Sequence, residues 1–163
     1  MSVLEMWTKN FVICLFSAVY QNIFLQDSKD FIDIEEKAQM GFDWSVVLDT
    51  LNLSQDLPNT DLLQDSLTKI VQNESKFENI LQKYLSDSKK TYKIVKAILF
   101  TFLQELQEIK KSKEEIPTTL LEYYQPIAKK YVRIAQDYIG SENASLVHAI
   151  TIKVIQDDPS TLL

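Results

Sequence analysis

Ile94-Val95-Lys96-Ala97-Ile98-Leu99-Phe100-Thr101-Phe102-Leu103-Gln104-Glu105-Leu106 decides the fold class of this 163-residue chain. Ile94, Ala97, Ile98, Thr101, Phe102 and Leu106 recur at three- and four-residue intervals, the period of a helix with one apolar face, and predict a helix reaching about Lys110. Downstream, Pro117 and Pro126 each fit the first turn of a helix, where the missing N–H is no loss. Pro126 is therefore expected to open a helix that ends before Gly140, a natural C-terminal cap. A last helix is expected from Asn143 to Gln156. Its Ile150-Thr151-Ile152-Lys153-Val154-Ile155 run has strand propensity, but Leu146, Val147, Ile150 and Val154 share one helical stripe.

Upstream, Asn59-Thr60-Asp61 reads as an N-cap followed by an apolar face of Leu62, Leu63, Leu67, Ile70 and Val71. Ser75-x-x-Glu78 has the form of a capping box restarting the helix ahead of Phe77, Ile80, Leu81, Tyr84 and Leu85. Whether 72–75 is a break or part of one long helix stays open. A first helix is expected over Met6–Gln26, short helices over Asp27–Glu36 and Trp44–Leu51, a loop at Leu53–Pro58 and a linker at Ser86–Lys90. The expectation is a single all-α domain of about seven helices.

Composition narrows the function. Two glycines exclude the loops that cradle phosphates, and one histidine with one cysteine leaves almost nothing for a metal site or a nucleophilic triad. No catalytic residue, cofactor or metal is expected. The net charge of −6 and a sixteen-to-one excess of lysine over arginine argue against nucleic-acid binding by net electrostatics alone. Lone Cys14 suits a reducing cytosol. The uncharged stretch Asn10–Gln26 follows both Glu5 and Lys9 and is interrupted by Gln21 and Asn22, so it reads as a buried helix rather than a signal or membrane anchor.

Ile94–Leu106 resembles the "hydrophobic-x-[RK]-A-[IL]-L-x-x-x-[LI]-x-E-L" helix of the NusB family of transcription antitermination factors, a bacterial family. Ile80-Leu81-Gln82-Lys83-Tyr84-Leu85 is similar to the helix end just before it. Ile134–His148 is similar to "L-A-K-x-[YF]-x-x-x-x-x-x-K-F-V-N", and Ala149–Val154 to the following "G-V-L-D-K-I". Ala18-Val19-Tyr20-Gln21 resembles "A-L-Y-Q" of the first helix. The blocks occur in the family's order and cover most of the chain outside roughly 27–60. The resemblance implies a NusB-like compact fold of two packed helical subdomains. It also implies a non-enzymatic factor that binds a boxA-type element of nascent ribosomal RNA, together with a small-subunit ribosomal protein in the NusE role and the antitermination complex. Such a factor acts as a monomer or homodimer in the cytoplasm, away from membranes.

Carried over residue by residue, the resemblance places Tyr20 in or near the RNA surface, Glu142 in the loop before the last helix and Leu146 where the family has an aromatic. His148 stands at the asparagine of Phe-Val-Asn, and Ser145 at the expected lysine. The family's arginine-rich start is reduced over Thr8–Ile13 to Lys9. The basic cluster Lys129, Lys130 and Arg133 is a candidate for neutralising phosphates, as is the set Lys89, Lys93 and Lys96 beside Lys90. Both sets also read as solvated lysine faces. Tyr123, Tyr124, Tyr131 and Tyr138 suit base stacking or core packing. The alternative function is a helical protein-interaction adaptor of the same fold that has lost RNA binding, and a third is a detached helical domain of an RNA-modifying enzyme.

Overall fold

In a computed structural model of the chain, residues 3–24, 59–85, 93–112 and 120–157 are described, all of them helical or joining helices, with no strand among them. A one-turn helix, Val3–Met6, precedes α1 (Lys9–Val19), which runs on into a π-helical turn, Tyr20–Phe24. There follow α2 (Thr60–Gln72), α3 (Glu74–Gln82), α4 (Lys93–Lys111), α5 (Leu120–Ile139) and α6 (Ser141–Gln156). The short helices expected within 27–36 and 44–51, the loop at 53–58, the linker at 86–90 and Pro117 lie outside the described residues.

The helix α4 is the axis of the molecule. It touches α1, α2, α3, α5 and α6, and every residue from Val95 to Gln107 is buried. Periodicity marks one apolar face; from Val95 to Gln107 neighbours enclose the helix on all sides. Its polar residues are therefore held by partners rather than by water. Thr101 donates to the carbonyl of Ala97 at 2.8 Å, and Gln104 donates to Glu108 at 2.9 Å. Asn73 Nδ2 donates to Gln104 at 3.0 Å and to Gln107 at 3.3 Å. No buried side-chain nitrogen or oxygen is left without a partner among the described residues, as burial of polar groups demands.

Asn73 also answers where the second helix stops. It occupies the turn between α2 and α3, with φ −93° and ψ 6°, and its amide is spent on α4. The break falls there, and Ser75 lies exposed inside α3 with no capping bond, so the capping box is not used. The Asn59 cap is: its Oδ1 accepts from the Leu62 N–H at 3.1 Å.

Two expected boundaries are corrected. The first helix is not continuous from Met6, because Thr8 takes an extended backbone and its Oγ1 accepts from the Phe11 N–H at 3.3 Å, restarting the helix at Lys9. Pro126 does not open α5 but sits within it, seven residues from the start at Leu120. Its ring is exposed, so the carbonyl of residue 122, deprived of a donor, faces the wet side of the helix, where water can serve. Gly140 ends α5 as expected. With φ +91° and ψ 162° it is the single residue between α5 and α6, which pack along one another.

Candidate nucleic-acid interface

The site residues inferred from the sequence distribute over α1, the π turn, α5 and α6, and two contacts decide how these elements meet. Lys9, in the first turn of α1, reaches Asp137 near the end of α5 at 3.0 Å. Phe16, two turns further along α1, lies edge-on to Tyr138, with ring centroids 6.2 Å apart at 71°. The same face of α1 thus runs beside the last turn of α5 and the Gly140 junction. Tyr20 follows Phe16 by one turn. It is half-buried against the core and begins the π turn, whose extra residue is accommodated by Asn22 donating to the Ala18 carbonyl at 2.8 Å. Glu142, two residues beyond Gly140, is exposed in the first turn of α6, where the helix dipole favours a carboxylate whether or not a base is bound. Leu146 is half-buried one turn later and His148 is exposed. Lys9 and Tyr20 stand at opposite ends of α1, about 16 Å apart along its axis at about 1.5 Å per residue, and Glu142 lies beyond the Gly140 junction.

The basic cluster divides. Lys129 and Arg133 are exposed, four residues apart on α5, and neither makes an ion pair among the described residues. Lys130, between them in sequence, points inward: its ammonium donates to both carboxylate oxygens of Glu105, at 2.7 and 2.9 Å, and to the Trp7 carbonyl at 2.7 Å. It also lies 5.4 Å from the centre of the Tyr131 ring, and Tyr131 donates its own hydroxyl to Glu105 at 2.8 Å. Glu105 has no exposed surface, and burial pushes its carboxyl above the ordinary range despite the help of Lys130 and Tyr131. Burial, with Glu105 beside it, pushes the Tyr131 phenol up as well. This group ties the N-terminal turn to α4 and α5.

Other candidates sort by the same criterion. Lys96 is turned in against Glu78 at 2.7 Å while Lys93 is exposed; Lys89 and Lys90 lie outside the described residues. Tyr124 and Tyr131 are buried, whereas Tyr138 is 43% exposed, and Cys14 is fully buried, its thiol pushed up to about 11 by burial. No family model matches the chain, and no curated protein or solved structure matches it significantly. The site therefore rests on its own geometry and on the sequence resemblance.

Sequence reasoning missed Asp137 and left Tyr138 undecided between stacking and packing. Asp137 announces itself only through Lys9, 128 positions away. Tyr138 continues the buried stripe of Ile127, Tyr131 and Ile134, yet it is 43% exposed and meets buried Phe16 only edge-on, which no periodicity reveals. Charge placement sharpens the electrostatics. Residues 25–58 contain eight acidic residues and two lysines, so they hold the entire net charge of −6, and the rest of the chain is balanced. The acidity that argued against nucleic acid is not a property of α1, α5 or α6.

Proposed function

We propose that the chain is a non-enzymatic NusB-type factor of transcription antitermination, binding a boxA-type element of nascent ribosomal RNA together with a small-subunit ribosomal protein in the NusE role. The finer architecture that goes with this reading is about seven helices in two packed subdomains. The observation that carries it is the approach of α1 to the last turn of α5 through Lys9–Asp137 and Phe16–Tyr138, which sets two candidates, Lys9 and the exposed Tyr138, against adjoining residues. In this mechanism Lys129 and Arg133 hold phosphates, Tyr138 and Tyr20 offer ring faces to unpaired bases, and Glu142 accepts hydrogen bonds from base edges. The Lys9–Asp137 pair is about half exposed on both sides, and such pairs are worth roughly 0–1 kcal/mol, so a phosphate can take the place of Asp137. Lys130 serves the core instead.

Titration of a labelled boxA-type RNA, with the partner protein present, tests this reading. Three cations on a single strand give a slope of log K against log salt of about −2. Affinity no better than for a scrambled RNA, or without salt dependence, refutes it. The adaptor reading is favoured by one observation: Lys9 and Lys130 are both engaged by carboxylates. It is supported if the ribosomal-protein partner is retained while the RNA is not.

A further inference from the structure

A cavity of about 480 Å³ opens between the π turn, α3 and α4, lined by Phe24, Glu74, Ser75, Glu78, Asn79 and Lys96. Its chemistry is unlike that of the α5–α6 end. Glu74 and Glu78 stand one turn apart on α3 and so share a face. Lys96, nine-tenths buried, reaches Glu78 at 2.7 Å and neutralises that carboxylate. Glu74 makes no hydrogen bond or ion pair among the described residues. Among its described lining residues the cavity thus has one carboxylate more than it has ammonium groups, and it is bordered by the Phe24 ring, itself seated on Phe100 at 5.3 Å.

We propose that this cavity receives a lysine or arginine side chain from a partner polypeptide. Glu74 completes the charge balance with the incoming cation, Phe24 covers its alkyl stem and offers a ring face, and exposed Ser75 and Asn79, again one turn apart, meet the partner's backbone. Burial and the nearby Glu78 push the Glu74 carboxyl above its ordinary range, with Lys96 pulling the other way; a second cation relieves that cost. Charge complementarity identifies the occupant: an anion would meet Glu74, and a neutral apolar group would bury it unpaired.

The test is an amide chemical-shift titration of the whole protein without RNA, so its failure leaves the RNA reading untouched. The probes are N-acetyl-lysine methylamide and its arginine counterpart, against the norleucine counterpart and butylamine. Saturable shifts confined to 74–79 and 94–98, with Kd of about 1 mM for the two cationic probes, are expected. Glu74→Gln weakens both by about tenfold, and Phe24→Leu, which removes the ring face but keeps an apolar wall, weakens them without abolishing binding. The proposal is overturned if no probe binds, if the norleucine probe binds equally, or if Glu74→Gln, shown folded by its spectrum, binds as the parent does. Butylamine binding as tightly as the lysine probe overturns the partner chain in favour of free amines.

Discussion

Replacing Lys130 by methionine keeps the length of the side chain and deletes its charge, which isolates the central polar group of the fold. In the native protein the ammonium makes contacts of 2.7 and 2.9 Å to Glu105 and of 2.7 Å to the Trp7 carbonyl, with only 15% of the Lys130 side chain exposed. Without it, a carboxylate with no exposed surface keeps one donor, the Tyr131 hydroxyl at 2.8 Å. Breaking a buried pair from one side costs about 3–5 kcal/mol, a large part of the roughly 5–15 kcal/mol that holds a domain folded. With m values of about 1–3 kcal/mol/M, the urea midpoint at pH 7 falls by roughly 1–5 M. The pH dependence gives a second reading. Glu105 already sits above the ordinary range through burial, and loss of the ammonium raises it further. The folded variant then keeps a proton that the unfolded chain releases above about pH 4.3, so its stability falls as pH rises from there. The deficit against the parent narrows on acidification. Pairing Lys130→Met with Glu105→Leu removes the orphaned charge and recovers part of the loss, the buried Tyr131 hydroxyl and the Trp7 carbonyl then lacking their partners. A single-variant loss below about 1 kcal/mol, or a double variant no better than the single, would refute this account of the core.

Exchanging Lys129 and Arg133 together for glutamine reduces the salt slope of RNA binding by about 1.4 and leaves the urea midpoint nearly unchanged, the reverse of the Lys130 result. Asn59→Ala costs about 1 kcal/mol in the same denaturation assay because the Leu62 N–H loses its acceptor, while Ser75→Ala stays within about 0.5 kcal/mol. An alanine at Gly140 meets no neighbour within 4 Å, so its effect comes from the backbone at φ +91°, about 1–3 kcal/mol, read as a Tm lower by several degrees. Cys14, fully buried with its thiol raised to about 11, resists iodoacetamide at pH 8 in the native protein and reacts once urea unfolds it; rapid labelling of the folded chain contradicts the described burial.

Local signals in the sequence were readable where the cause was local. The helical period of Ile94–Leu106, the Asn59 cap and the helix end before Gly140 depend on residues within one or two turns, and each is found in the structure. The errors fall where a distant partner decides. The chemistry of Pro126 predicts a helix start, yet α5 begins at Leu120 and carries the proline in its interior. Ser75 and Glu78 have the spacing of a capping box, but Asn73 binds α4 and the helix restarts one residue ahead of Ser75. Lys129, Lys130 and Arg133 are one cluster in sequence and two populations in space, because Glu105 lies inside α4 and draws in only Lys130. For the candidate interface, the resemblance names residues on α1 and α6, but the meeting of Lys9 with Asp137 is visible only in space.

The enclosure of α4 has a consequence for how such a chain can change over generations. A helix with a wet face can exchange charges there at little cost, as α5 could at Lys129 and Arg133 and α1 in the turn around Lys9. From Val95 to Gln107 no position has that freedom, since each substitution must fit volume and polarity on whichever side it falls. Drift is channelled into the outer helices, so the interior can keep its pattern while the exposed surface is rewritten around it.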